Sequence, residues 1–327
     1  MDVTVVVPVY NSEQYIERCL NSLIHQTYDR TKFEILVIDD YSRDKSKEII
    51  KKYEEKYSCI KTRYMDKNYG VSHARNIGIK EARGKYIMFC DSDDYYESDA
   101  VSVFMQIINK YDADFVMANY CINKNNKDIK INSTKFFLNM KMKKEEIISY
   151  MTLTSSAKII RKSLFMDSNI FYPEDIKRCE ELTVIPVVAY LAKKPIAIDN
   201  QLYHYYQRKK SVSNSNKNKN VEDFDFFNIT FNRFLKYVDE DKYKEEIRFR
   251  AIDHLIYGKT LVMLKAGIKR KKIINEIKII EKKYPKIYKN KYLKEYSKAK
   301  RLFIKLIEYR MFFTAKMFAR LHQIVTG

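Results

Sequence analysis

The sequence predicts an α/β fold with a mostly parallel sheet and flanking helices, joined to a helical C-terminal region. Three observations carry this prediction. Short runs of β-branched residues alternate with segments whose apolar residues recur at helical spacing, which is the pattern of βαβ units. Several of these runs end on polar or acidic residues. Beyond about residue 222 the strand signals stop, and the apolar spacing is helical with few breakers.

Val3 to Val9 (VTVVVPV) is a continuous β-branched run, suited to a strand covered on both faces. Asn11 and Ser12 can cap the helix that follows, where Tyr15, Ile16, Cys19, Leu20, Leu23 and Ile24 share one face. Phe33 to Ile38 (FEILVI) reads as a second buried strand, ending at Asp39-Asp40. A helix is expected over 44–57, a short strand over 60–65 and a further helix over 71–82. Lys85 to Cys90 is the next strand and ends at Asp91-Ser92-Asp93-Asp94. A helix over 98–110 leads to a strand from Asp114 to Tyr120. After that the pattern loosens. Residues 123–135 read as a loop or hairpin, and 145–151 and 180–193 as helices. Lys209 to Asn220 has almost no apolar content and reads as a linker. The domain expectation is therefore a catalytic domain over 1–210, a polar linker over 211–221 and a basic helical region over 222–327.

Right-handed crossovers would place the strand C-termini along one edge, where open α/β sheets bind ligands. Tyr10-Asn11, Asp39-Asp40 and Asp91 to Asp94 fall on that edge. Asp91 and Asp93, two residues apart in a turn, can reach one hard cation. Mg²⁺ or Mn²⁺ would accept them together with diphosphate oxygens. The same Asp-Ser-Asp triplet also caps helices, so alone it supports either reading.

Four blocks in order, VVVPVYN, LVIDDYSRD, NYGVSHARNIGI and GKYIMFCDSDD, resemble the N-terminal half of family 2 glycosyltransferases. The resemblance is strong over about 1–120 and weak over 150–215. It implies a GT-A nucleotide-binding sheet, an inverting reaction, a UDP-sugar donor and a divalent metal (Mn²⁺ or Mg²⁺). The implied acceptor is a cell-surface polysaccharide, a teichoic-acid-like polymer or a lipid-linked glycan. By the same resemblance Pro8, Val9 and Tyr10 line the base pocket, with Asn11 beside them, and Asp39 accepts the base imide N–H. Asn68 and Gly70 shape the next turn, and Arg75 faces the nucleotide. Asp91 contacts the ribose side, with Ser92 next to it, and Asp93 is the metal ligand.

Inversion also needs a carboxylate to take the acceptor proton. Where related sequences carry a Glu-Asp pair, this chain has Glu180-Glu181, which makes Glu181 the candidate base and Glu180 its neighbour. The alternative is a pair of ordinary acidic residues in a first helical turn. Asp175 is a second candidate base. Leu202 to Ser213 resembles the segment that ends the catalytic domain, so Arg208, Lys209 or Ser211 could meet the diphosphate. His204 reads either as a further metal ligand or as a half-buried strand histidine.

The formal net charge is +20, and residues 259–323 hold 20 Lys/Arg against 4 Asp/Glu, a surplus of 16 that leaves only +4 for the remainder. This asymmetry points to a polyanionic partner for the C-terminal part. Residues 301–325 should be helical, with Leu302, Phe303, Leu306, Phe313, Met317 and Phe318 on one arc, interrupted by Arg310. That arc could lie on an anionic membrane surface, pack on a second subunit or close on its own domain. Five cysteines without metal-ligand spacing fit reduced thiols in a cytosolic protein, and a lipid-linked or polymeric acceptor would place it at the inner membrane face. No run of about 18 uncharged apolar residues predicts a spanning helix. PVYNSE after the first strand lacks GxGxxG, which argues against a dinucleotide-dependent dehydrogenase. A nucleic-acid or polyanion-binding protein remains the rival class, as does a catalytically inactive member of the fold. Nucleic acid is disfavoured, because the acidic strand ends would repel its phosphates and no RNA-binding aromatic signature is present.

Overall fold

The computed structural model describes residues 1–124, 127–137, 140–176, 178–207 and 224–326, without the side chains of 124 and 322–326. Arg208, Lys209, Ser211 and the linker expected over 211–221 lie outside the described residues. The chain divides into two compact units, Met1–Ile147 with Met151–Arg208, and Ile148–Tyr150 with Lys209–Gly327.

Among the described residues, the first unit is built on a nine-stranded sheet. Its strands are β1 (Val3–Val9), β2 (Phe33–Asp39), β3 (Ile60–Tyr64), β4 (Tyr86–Phe89), β5 (Tyr95–Tyr96), β6 (Phe115–Lys124), β7 (Lys127–Ile131), β8 (Lys158–Arg161) and β9 (Pro195–Tyr206). The spatial order is β3-β2-β1-β4-β8-β6-β9-β5, with β7 paired to β6. The helices of this half are α1 (Ile16–Ile24), α2 (Ser46–Lys56), α3 (Val71–Glu81), α4 (Ala100–Tyr111), α5 (Lys144–Tyr150), α6 (Lys162–Met166) and α7 (Ile185–Leu191).

Only part of the sheet is parallel, which corrects the mostly parallel expectation. β3, β2, β1 and β4 run parallel, whereas β8 is antiparallel to both β4 and β6. β6 and β9 are parallel to each other, and β5 is antiparallel to β9. The reason is connectivity. The first strands are joined by helices long enough for crossovers, while β6 turns straight back into β7 as a hairpin. Residues 180–193 also depart from a single helix. Cys179 adopts φ 59°, a 3₁₀ turn covers Glu180–Thr183, and α7 starts only at Ile185. Pro186 has no N–H to bond the Leu182 carbonyl, so it can open a helix but not continue one.

β1 is buried on both faces, and its one polar side chain, Thr4, donates to Glu34 Oε1 at 2.7 Å. Val3, Val5, Val7 and Val9 pack with Ile16, Leu20 and Leu23 of α1 and Val101, Phe104 and Ile108 of α4. On the opposite face α3 approaches so closely that a Cβ on Gly78 would fall 2.2 Å from Val6 Cγ1. This packing sets the C-terminal ends of β1, β2 and β4 side by side, with Val9 level with Asp39.

The second unit is helical. It holds α8 (Phe226–Leu235), α9 (Lys244–Ala251), α10 (Thr260–Lys265), α11 (Arg270–Lys283), α12 (Lys298–Glu308) and α13 (Phe312–Thr326). A π-helical stretch, Ile252–Lys259, joins α9 to α10. Charges here meet partners: Lys300 pairs with Asp253, buried Lys259 Nζ lies 2.6 Å from Glu276, and Arg310 lies 2.5 Å from Glu281. The stretch expected to be helical over 301–325 is broken at Arg310, which has φ 60° and turns its guanidinium to Glu281. The break divides the expected apolar arc. Phe303 and Leu306 are buried, whereas Leu302, Phe313 and Met317 are exposed. Phe318 packs against Phe303, with ring centroids 5.3 Å apart. No described helix is long and apolar enough to cross a membrane.

Candidate active site

The ends of β1, β2 and β4 frame a cleft of about 170 Å³, open to solvent and lined by Pro8, Val9, Tyr10, Asp40, Asp91 and Asp93 among others. Loop-to-loop hydrogen bonds hold its rim. Asn11 Oδ1 accepts from Arg43 N at 2.8 Å, and Asn11 N donates to Ser42 Oγ at 3.0 Å. Ser12 and Ser92 hydroxyls lie 2.6 Å apart, which ties the β1 loop to the acidic turn. Tyr10 is 47% exposed and free to present its ring to a planar ligand.

Asp39 and Asp40 are neighbours with different tasks. Asp40 accepts from Tyr69 N at 2.8 Å and Gly70 N at 2.7 Å, while Asn68 Nδ2 donates to its carbonyl at 3.2 Å. Gly70 takes φ 95° there, a conformation that suits glycine, as the chain enters α3. Asn68 and Asp40 therefore build the turn. Asp39 is buried and accepts from Ser42, whose N lies 3.4 Å away, and burial pushes its carboxyl up.

Arg75 is the hub. It projects from α3, is 3% exposed, and reaches three carboxylates. Nη2 donates to Asp91 Oδ1 at 3.1 Å and Nη1 to Glu180 Oε1 at 3.0 Å, and Glu181 Oε1 lies 3.6 Å from Nη1. Its guanidinium stacks over Tyr172 at 5.2 Å. The sequence blocks place Arg75 toward the nucleotide; the structure places it between the acidic strand end and the Glu180-Glu181 turn. The two glutamates then separate. Glu180 is buried in its charge-assisted bond to Arg75, whereas the Glu181 side chain is one-quarter exposed. Burial first, and the charge of Glu180 second, push the Glu181 carboxyl up to about 8, with Arg75 opposing. A carboxylate with that proton affinity is suited to take a proton near neutral pH. Asp175, the other candidate base, is exposed.

Asp91, Ser92 and Asp93 line the cleft. Arg18 donates to the Asp93 carbonyl at 2.6 Å, and Asp94 anchors the turn from below. Asp94 accepts from Tyr203 Oη at 2.5 Å and Tyr206 N at 2.7 Å, and burial pushes its carboxyl well up. No group of three or more His, Cys, Asp or Glu stands ready to enclose a metal among the described residues. The donor set is nevertheless right for a hard cation: carboxylates at the cleft wall, with room for ligand oxygens to complete the shell. His204 lies elsewhere, stacked on Tyr95 at 4.4 Å with Nε2 2.6 Å from Glu97.

Two buried groups escaped the sequence reading. Tyr172 carries Arg75 on its ring, and Lys158 sits inside the sheet with Glu181 as the charge that opposes its desolvation. A lysine within the otherwise apolar segment Ala157 to Ile160 was the available signal.

A partly parallel α/β sheet whose strand ends present carboxylates to a cleft, beside a buried arginine from α3, is an arrangement suited to an open-edge ligand site. The comparisons make it specific. Residues 4–168 match the model of "Glycosyl transferase family 2", and the chain belongs to that family. It is 29% identical over 218 residues to the poly(ribitol-phosphate) beta-N-acetylglucosaminyltransferase TarS of Staphylococcus aureus, covering 64% of this chain and 36% of that one. It is 30% identical over 222 residues to the poly(ribitol-phosphate) beta-glucosyltransferase of Bacillus spizizenii, covering 64% and 33%. The chain thus spans about a third of the length of these curated relatives. Among solved structures, TarS 1–349 of S. aureus in complex with UDP-GlcNAc superposes with a TM-score of 0.75 at 22% identity, over 99% of this chain and 92% of that one. A mannosyltransferase from Pyrobaculum calidifontis, in complex with GDP-Man and Mn²⁺, gives 0.59 at 15% identity, over 98% and 86%. The fold is GT-A, followed by a helical C-terminal region.

Proposed function

We propose that this chain is an inverting glycosyltransferase that moves a hexosyl or N-acetylhexosaminyl group from a UDP-sugar to a cell-surface acceptor. A teichoic-acid-like polyol-phosphate polymer is the acceptor favoured by the relatives' names. The observation that carries the reading is the Arg75 cluster. It brings Asp91, from the nucleotide edge, and Glu180-Glu181, from 89 or more residues later in the chain, to one guanidinium.

In this reading the base lies against Pro8, Val9 and Tyr10, and its imide N–H is accepted by Asp39. Asp91 faces the ribose side and Ser92 lies beside it. Asp93 would hold a divalent ion with the donor's phosphate oxygens, and such an ion supplies neutralisation of the leaving diphosphate. Glu181 takes the proton of the acceptor hydroxyl. The hydroxyl oxygen forms its bond to the anomeric carbon as the bond from that carbon to the diphosphate oxygen breaks, and UDP leaves with the electron pair. Arg75 fixes Glu180 through a 3.0 Å bond, which leaves Glu181 as the glutamate to exchange a proton.

Calorimetry with UDP, GDP and ADP, with and without Mn²⁺, tests the donor half. UDP should bind best and more tightly with the ion, and Asp39→Ala should weaken it by about 1–3 kcal/mol, as for a buried donor left unpaired. Equal affinity for purine nucleotides would exclude the base pocket, and indifference to Mn²⁺ would exclude Asp93 as its ligand.

The second unit supports a further part of the reading, peripheral association with an anionic bilayer. Phe313, Met317 and Leu321 recur every fourth residue on α13 and are 80%, 51% and 58% exposed, within the segment of surplus positive charge. Like charge disfavours a second copy on the same surface. Flotation with phosphatidylglycerol vesicles at low salt should capture the protein, and Phe313→Asp should release it. Absence of binding, or a dimer by light scattering that Phe313→Asp dissolves, would overturn the membrane proposal.

A further inference from the structure

The acidic turn after β4 has no helix or strand of its own between Asp91 and Asp94, and side chains from other elements hold it. Ser92 Oγ lies 2.6 Å from Ser12 Oγ of the β1 loop. Asp94 is fully buried, and its carboxylate accepts from Tyr203 Oη at 2.5 Å and Tyr206 N at 2.7 Å, both on β9. Asp93 stands between these two anchored residues, half-buried, and lines the cleft. Its main chain is tied from α1, where Arg18 Nη2 donates to the Asp93 carbonyl at 2.6 Å.

Arg18 is itself placed by aromatic rings. Its guanidinium carbon lies 4.4 Å from the centre of the Tyr206 ring and 4.9 Å from that of Tyr95. Tyr15, three residues earlier, packs against the same Tyr206 ring at 5.5 Å, and Tyr95 is stacked on His204 at 4.4 Å. Yet Arg18 is exposed to solvent. An exposed bond to a carbonyl contributes little to folding, because water can replace either partner, and ordering a long arginine side chain costs rotamer entropy. What these contacts do fix is the course of one residue at the cleft wall.

We infer that Arg18 is a positioning residue for the cation site: through the Asp93 carbonyl it holds the acidic turn in the course that offers the Asp93 carboxylate to a divalent ion. The inference rests on the reading of Asp93 as the ligand of that ion. Arg18 acts on a cation there in two ways of opposite sign. Its charge opposes a second cation nearby, whereas its grip on the turn pre-organises a ligand. If the grip prevails, removing Arg18 weakens the ion. If the charge prevails, removing it strengthens the ion.

Calorimetry of UDP on the full chain, in Mn²⁺ and in chelator, tests it by comparing the wild type with Arg18→Met and Arg18→Lys. Arg18→Met keeps most of the stem over the rings and removes the donor. The gain in UDP affinity that Mn²⁺ brings should shrink by about tenfold, the scale of one hydrogen bond from a charged group, while the Kd for UDP in chelator stays at the wild-type value. Arg18→Lys keeps a donor without the planar fork and should recover part of the gain. A gain that is unchanged or larger in Arg18→Met would overturn the inference. So would an equal loss of UDP affinity in chelator, which marks a general effect on the turn. If Arg18→Met does not fold, Tyr206→Leu decides, because it removes one ring beneath the guanidinium and leaves the main-chain N–H on Asp94. A smaller loss of the Mn²⁺ gain is expected there, and wild-type behaviour would overturn the proposal. A wild type that binds UDP equally with and without Mn²⁺ would instead overturn the assignment of Asp93 and this inference with it. A Mn²⁺ gain that Asp93→Asn abolishes and Arg18→Met leaves intact overturns the inference alone.

Discussion

Carboxylates are handled in opposite ways at two places in the chain, Asp253 of the helical unit and the cleft end of the sheet unit. In the helical unit, burial would push the Asp253 carboxyl up, but Lys300 and Arg250 more than reverse it and hold the group below its ordinary value. Tyr296 Oη donates to the same carboxylate at 3.1 Å. In the sheet unit, burial prevails at Asp39, Asp94 and Glu181, and each carboxyl is pushed up. A compensated carboxylate serves as structure. An under-compensated one, facing a cleft beside a buried arginine, is where proton exchange is to be sought.

The contrast has a pH signature whose sign differs between the two regions. Asp253 binds its proton less tightly folded than unfolded, so its stabilisation is present above the ordinary Asp range and is lost as pH falls through the folded value. Glu181 binds its proton more tightly folded, so its contribution is complete below about 4.3, the unfolded Glu value, and is lost as pH rises toward about 8.

The largest effect should come from Glu181→Gln. It keeps shape and removes proton-accepting power, so kcat should fall by about 10²–10⁴ while UDP affinity is unchanged. If Glu180→Gln shows that pattern and Glu181→Gln does not, the roles of the two glutamates are reversed. Asp253→Asn should do the reverse in kind. It should lower stability by about 1–3 kcal/mol in denaturant titration, through lost charge-assisted bonds, and leave kcat of the folded protein alone. A fall in kcat without a fall in stability would erase the distinction between the regions.

Much of the first half was legible in the sequence, because its strands are buried on both faces and its helices are amphipathic, signals that lie within ten residues. FEILVI and its acidic end predict β2 and the cleft edge almost residue for residue. The β8–β9 half was less legible. β8 is four residues long, and its antiparallel pairing to β4 depends on where a distant segment returns. Site roles show the same division. That Asp40 builds the 68–70 turn while Asp39 accepts from Ser42 cannot be read from two adjacent aspartates. Nor can the difference between Glu180 and Glu181, which is set by an arginine 105 residues earlier. Arg310 marked the interruption of an apolar arc in the sequence, but only the fold shows it in a left-handed turn, paired to Glu281.

The central claim is that Glu181 takes the acceptor proton in transfer from a UDP-sugar. The direct test is the pH dependence of transfer kcat, from pH 5 to 10, for the wild type and Glu181→Gln side by side. The ionised carboxylate is the active form, so the wild-type rate should rise with pH and level off beyond a midpoint near the value of about 8 to which burial pushes the group. The Gln variant should retain only a low rate without that rise. A wild-type midpoint that persists in Glu181→Gln would contradict the account, because the titrating group would then lie elsewhere.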